Sequence, residues 1–258
     1  MNTGICTLSV IPVRVRPDDA SEMISQVLFG ESFEILSHNR QWVQIRTHYD
    51  QYEGWIDEKQ FESISSSWLK SARANSAVSL ELAQTVISRD EKIPVLFGST
   101  LPHFDGMNFK IGKRNFIYNG QAHNPALNHF DKEAVLQKLA NKFLNAPYLW
   151  GGRSPFGVDC SGLVQALFKA IGLSLPRDAY QQAELGQSIN FSEEAGLGDL
   201  AFFENSEGKI AHVGLLLSSN QILHAYGRVH IDKFDHYGIH SESTGKYTHR
   251  LRIIKRFL

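Results

Sequence analysis

The sequence predicts an α+β protein in which two small all-β barrels precede a mixed α+β domain. Short apolar runs recur about every ten residues through positions 1–62. The same strand-and-turn rhythm resumes at 92–120, and beyond residue 130 helical periodicity and strand alternation occur together. The expected domains are 1–62, 63–128 and 129–258.

Composition narrows the class. With 258 residues, 42% hydrophobic and 21% charged, the chain has ordinary globular proportions and room for two or three cores. Its 26 basic and 27 acidic residues give a net charge of −1, so no global basic field is available for nucleic acid or an anionic membrane. Two cysteines, Cys6 and Cys160, exclude a disulfide framework. The first residues lack a charged region followed by an apolar core and a small-residue cleavage site, which predicts a cytoplasmic location.

In the first domain, strands are expected at 6–15, 23–28, 32–36, 42–47 and 54–56, separated by polar turn sequences. The serine run at 63–68 is read as a linker. The second domain is expected to be a degenerate barrel, with strands near 92–96, 108–112 and 115–120 and a turn at 98–102. Asp131 then opens a helix over 134–144, whose Val135, Leu139, Ala140 and Phe143 share one face.

Pro147 ends that helix, and Gly151, Gly152 and Gly157 lead to Asp159-Cys160-Ser161-Gly162. From there Leu163, Val164, Leu167, Phe168 and Ile171 recur at steps of three and four, an amphipathic helix closed by Gly172. With Asp159 as cap, Cys160 falls in the first turn, where unpaired N–H groups favour a thiolate. A buried small hydrophobe is the alternative for Cys160. A nucleophilic cysteine needs a base, and the base needs a group that fixes its tautomer. Of eleven histidines, only His212 and His224 lie in strand-like apolar runs, 211–217 and 221–226. A hairpin with loop 218–220 sets Leu217 opposite Gln221, Gly214 opposite His224 and His212 opposite Tyr226, leaving both rings on one face.

Tyr148-Leu-Trp-Gly-Gly, Asp159-Cys-Ser-Gly-Leu-Val, Leu175-Pro-Arg-Asp, Gly198-Asp-Leu-Ala-Phe-Phe, His212-Val-Gly and His224-Ala resemble, in order, the NlpC/p60 family of papain-like cysteine peptidases. Val-Arg-Pro, Gln26-Val-Leu-Phe-Gly-Glu and Glu53-Gly-Trp-Ile resemble bacterial Src-homology-3-like barrels. The resemblance implies Cys160 as nucleophile, His212 as general base and His224 as its orienting partner. It also implies hydrolysis of bacterial cell-wall peptides next to D-glutamate joined through its side-chain carboxyl.

A subgroup of that family, the γ-D-glutamyl-L-diamino acid endopeptidase type, pairs such barrels with the peptidase and removes L-alanyl-γ-D-glutamate from free cell-wall peptides. A substrate ammonium then needs acids and a phenol around it, because a buried charge without a partner is strongly unfavourable. Asp159, Glu22 and Tyr52 are the candidates for it. Tyr148 is expected on the oxyanion side with the Cys160 N–H, and Ser161, Arg177 and Asp178 at the D-glutamyl α-carboxylate, which suits a guanidinium fork. The expected partner is thus a peptide of the form L-Ala-γ-D-Glu-diamino acid, with neither nucleic acid nor membrane. The other readings are a wall-anchored D,L-endopeptidase acting on intact peptidoglycan, a catalytically inactive binding module, and a metal site at Cys160, His212 and His224. No CxxC or HxxxH spacing supports the last, so no metal or cofactor is expected.

Overall fold

The computed structural model describes residues 2–89, 91–125 and 130–258, with Arg73 and Ala74 described by their backbone alone. Seven strands make the first unit: β1 (Thr3–Cys6), β2 (Val10–Arg14), β3 (Met23–Leu28), β4 (Ser32–Asn39), β5 (Trp42–Thr47), β6 (Glu53–Asp57) and β7 (Phe61–Ser63). They form one sheet in the order β3-β2-β6-β5-β4-β1-β7. The single strand expected at 6–15 is two, because residues 7–9 turn the chain from β1 to β2. Alternate residues, among them Ile11, Val13, Val43, Ile45 and Ile56, fill the interior around Phe33 and Cys6. The Cys6 thiol is fully buried there and donates to the Leu8 carbonyl at 3.1 Å, the bonding of a core residue.

The serine run is no linker. Ser65 caps helix α1 (Ser66–Ala74) by accepting from the Trp68 N–H at 3.2 Å, the role serine fills where donors are unpaired. Strands β8 (Ser76–Ser79), β9 (Ala83–Ser88), β10 (Glu91–Leu96), β11 (Thr100–Pro102), β12 (Asn108–Ile111), β13 (Arg114–Ile117) and β14 (Ala122–His123) follow. They divide into sheets β10-β9-β13-β12 and β11-β8-β14. The turn expected at 98–102 is half strand, since β11 pairs with β8, and β8 and β9 were not anticipated. Phe29 of the first unit packs edge-on against Phe109 and Phe116, so the two β units share a core. The boundary expected at 128/129 lies outside the described residues.

The third unit begins with α2 (Lys132–Lys142), capped by Asp131, and buries Leu136, Leu139 and Ala140. A two-strand ribbon, β15 (Arg153–Ser154) and β16 (Gly157–Val158), leads into α3 (Cys160–Ala170) and the short α4 (Ala179–Gln182). Then come β17 (Gln187–Ile189), β18 (Leu200–Glu204), β19 (Ile210–Ser218), β20 (Gln221–Tyr226), β21 (Arg228–Asp235), β22 (Gly238–Ser241) and β23 (Lys246–Arg256). They order as β17-β23-β18-β19-β20-β21-β22, and β22 returns to β23, closing six strands into a barrel. Helix α3 packs on β19 and β20 through Leu163, Val164, Leu167 and Phe168.

Helix α3 is buried all round, against the single buried face expected. Its polar stripe, Gln165 and Lys169, meets the two β units instead of water. Gln165 donates to Asp50 at 2.8 Å, and Lys169 donates to Glu31 and to the Gly98 carbonyl, both at 2.6 Å. Arg153 closes on the same Glu31 at 2.8 and 3.0 Å. One buried acid between two buried bases thus joins all three units. Burial alone raises a carboxyl, but Arg153 and Lys169 outweigh it and hold Glu31 down to about 2. Among the described residues, no helix is long and apolar enough to cross a membrane.

Candidate active site

Cys160 opens α3, and three features of the chain place it there. Asp159 caps the helix by accepting from the Gly162 N–H at 2.7 Å, and its other oxygen accepts from the Gly151 N–H at 2.9 Å. Gly162 passes so near the Gly152 carbonyl that a Cβ would lie 2.2 Å from its oxygen, so only glycine fits. At the far end Gly172, at φ +82°, lets its own N–H and that of Leu173 reach the Lys169 and Phe168 carbonyls and stop the helix.

Burial works against the thiolate expected at this helix end. Burial, and then the neighbouring Asp159 carboxylate, push the Cys160 thiol up to about 12, although the N–H groups of Val213 and Ser161 pull the other way. Desolvation outweighs the helix end. A nucleophile here has to be made by a proton acceptor at the moment of attack.

Two buried histidines stand on the adjacent sheet. Val213, the residue after His212, lies against the Cys160 sulfur. The hairpin register has Gly214 opposite His224 as expected, but a bulge at Leu217 brings Ser218 opposite Gln221 in place of Leu217. A Cβ at Gly214 would lie 2.6 Å from the Ile222 Cδ1 and 3.1 Å from the His224 Cβ, so glycine lets the two strands pack closely here. His212 Nε2 and His224 Nδ1 are 3.0 Å apart, both rings buried. Burial, then His249, His224 and His230, lower His212 well below the usual histidine range. Burial and His230 push His224 down to about 4. Both rings are therefore neutral at pH 7, as a base must be.

Three polar groups here were not anticipated. His249, from β23, stacks on His212 with centroids 4.1 Å apart. His230 lies opposite His224 in the next hairpin, and Asp232 Oδ2 is 3.3 Å from His224 Nε2 and 3.1 Å from His230 Nε2. Gly227 was the available signal, because a tight turn there pairs His224 with His230 and sets Asp232 diagonal to His224, two residues along the strand from His230. His212, His224 and His249, and likewise His224, His230 and Asp232, bring ligand atoms within 4.8 Å of one another; in the second set both contacts to Asp232 are ordinary hydrogen-bond distances.

A cavity of about 470 Å³ opens beside Cys160. The peptidase domain lines it with Asp159, Cys160, Ser161, Arg177 and Asp178, and the first unit with Glu22 and Tyr52. Tyr52 donates to Asp178 at 3.3 Å; burial raises both its phenol and the Asp178 carboxyl. Trp150 and Tyr180, two exposed aromatics not singled out before, complete the rim, and the Trp150 indole donates to Glu22 at 2.6 Å. Tyr148 is not among the lining residues, yet after burial Cys160 and Asp159 help push its phenol up to about 12. Arg177 departs from expectation. It is 1% exposed, and its guanidinium is spent on both oxygens of Asp159, at 3.0 and 2.5 Å, on Ser161 and on Ser25. It holds Asp159 and offers no open fork to a carboxylate.

A cysteine on a helix tip, a closed sheet carrying paired histidines beside it and a barrel-walled cleft define a papain-like peptidase. Residues 145–248 match the NlpC/P60 family, and residues 13–61 match the bacterial dipeptidyl-peptidase SH3 domain. The chain belongs to the NlpC/P60 family of cysteine peptidases. It is similar to the γ-D-glutamyl-L-lysine dipeptidyl-peptidase of Bacillus subtilis, 34% identical over 238 residues, 86% of this chain and 74% of that protein. Dipeptidyl-peptidase 6 of Lysinibacillus sphaericus is 25% identical over 229 residues, 81% of this chain and 82% of that one. The crystal structure of an NlpC/P60 protein from Bacillus cereus shares the fold with a TM-score of 0.84 over 99% of both chains, at 18% identity.

Proposed function

We propose that the protein hydrolyses the γ-D-glutamyl–diamino acid bond of free cell-wall peptides that begin with L-alanine. The observation that carries this is the meeting of Glu22 and Tyr52 with Asp159 around the cavity beside Cys160. Those acids and that phenol suit an ammonium. The names of the Bacillus and Lysinibacillus relatives support the same chemistry. A cytoplasmic location, where released peptides are taken apart, is part of this reading.

In the reaction, the Cys160 proton passes to His212 as the sulfur attacks the γ-carbonyl. His224 holds His212 by the 3.0 Å bond. The Cys160 N–H, on the Tyr148 side, steadies the oxyanion; such a donor typically contributes about 100- to 1,000-fold in rate. His212 then protonates the leaving amine, and a water it activates releases L-Ala-γ-D-Glu from the thioester.

Mass spectrometry of L-Ala-γ-D-Glu-diaminopimelate after incubation, with and without N-acetylation, tests the reading. Release of L-Ala-γ-D-Glu from the free peptide alone is expected. Equal cleavage of both forms, or cleavage of intact sacculi in preference to either, would assign the enzyme to the wall-anchored class.

A further inference from the structure

His212 can serve as base only in one of its two neutral tautomers, and the bonds around Asp232 select it. Asp232 Oδ1 accepts from the Glu242 N–H at 3.2 Å, so that oxygen is an acceptor by necessity. Oδ2 receives two histidines, His230 Nε2 at 3.1 Å and His224 Nε2 at 3.3 Å. His230 Nδ1 lies 2.9 Å from the Arg228 carbonyl, which can only accept, so His230 donates there. An ionised carboxylate only accepts, so the Asp232 oxygen that faces His224 must accept a hydrogen bond from it. His224 therefore donates from Nε2 and accepts at Nδ1. His212, 3.0 Å away, must donate from Nε2, which leaves the lone pair on its Nδ1.

We propose that Asp232 is a positioning residue which fixes the tautomers of His224 and His212 in series, so that His212 meets the Cys160 proton with an unprotonated Nδ1. The assignment rests on the reading of His212 as the base. Asp232 is 5% exposed and, with His224, sits on the hairpin β20–β21, paired edge to edge with the strand that carries His212. The relay is thus built on rigid strands, away from the cleft where substrate enters.

The test uses two substitutions. In Asp232→Asn, the Glu242 N–H keeps the amide oxygen on its own side and turns the NH₂ toward His224. The series then inverts, and His212 carries its proton on Nδ1. Asp232→Ala removes the director without installing the opposite one. The expected result is a loss in kcat of roughly 100-fold or more for Asn with KM little changed, and a smaller loss for Ala. A role confined to packing predicts the reverse order, because Asn preserves the shape and Ala does not.

Nitrogen-15 NMR of the histidine rings reads the tautomers in the substrate-free enzyme. Protonated Nε2 on both His212 and His224 is expected in the wild type, with inversion at both in Asp232→Asn. Protonated His212 Nδ1 in the wild type overturns the assignment whether or not any peptide is cut, as does Asp232→Asn activity within about threefold of the parent. Correct tautomers in an enzyme that cleaves no γ-D-glutamyl peptide would instead reject the substrate reading and leave Asp232 in place.

Discussion

Trp150 of the peptidase domain donates its indole N–H to Glu22 of the first barrel at 2.6 Å, bridging the seam at the rim of the Cys160 cavity. The bond aims the carboxylate of an otherwise exposed acid, and it makes the cleft a joint product of two domains.

Glu22→Ala should lower kcat/KM on peptides with a free L-alanine amine by roughly tenfold or more, the effect of removing a charged partner, while N-acetylated peptides are unaffected. Trp150→Phe, which keeps the ring and loses the donor, should show a weaker version of the same selectivity. Parallel assays of the two peptides decide it; an equal loss on both removes Glu22 from amine recognition.

Cys160→Ala should abolish hydrolysis while peptide still binds, measured by calorimetry. Because the thiol is pushed up to about 12 by burial and Asp159, alkylation of Cys160 by iodoacetamide at pH 7 depends on His212. In His212→Ala the rate should be far lower at pH 7 and climb about tenfold per pH unit as the thiol ionises. Adduct mapping by mass spectrometry distinguishes Cys160 from Cys6, which reacts only on unfolding because it is fully buried.

His224 is held neutral by burial and His230, down to about 4 from an ordinary value of 6.5. His212 is lowered further still. The unfolded chain takes up protons at these rings below pH 6.5 and the native state refuses them, so their share of stability is complete above 6.5 and is lost as pH falls toward 4. The melting temperature should drop across that window, and His224→Gln should flatten the slope there. A wild-type curve flat from pH 7 to 4.5 contradicts this.

Glu31→Gln leaves Arg153 and Lys169 buried without their anion, which typically costs about 3–5 kcal/mol. With Glu31 held down to about 2, its contribution to stability is complete above pH 4.5, the usual value for its carboxyl, and is lost progressively as pH falls from there toward 2. Scanning calorimetry should show a lower melting temperature for the variant at pH 7 and near coincidence with the parent at the acid limit.

Much of this was legible in the residues, for reasons that differ by place. The cap at Asp159, the stop at Gly172 and the pairing of Gly214 with His224 follow from local chemistry and a period of two, so they could be read directly. The polar stripe of α3 could not. Gln165 and Lys169 look like a solvent face until the barrel that covers them is in place. Arg177 failed for a related cause: eighteen positions from Asp159, it reads as a free fork, and only the folded chain reveals its carboxylate partner. Asp232 escaped because one turn at Gly227 separates it from the histidine it serves.

Arg153 and Lys169 lie within the peptidase sequence, yet the anion that makes them tolerable comes from the first barrel. The barrel is therefore no detachable accessory that could be traded for another binding module by recombination. Shuffling it away would leave two unneutralised cations on the back of the nucleophile helix and one wall missing at its tip, so structural integrity and substrate selection are inherited together.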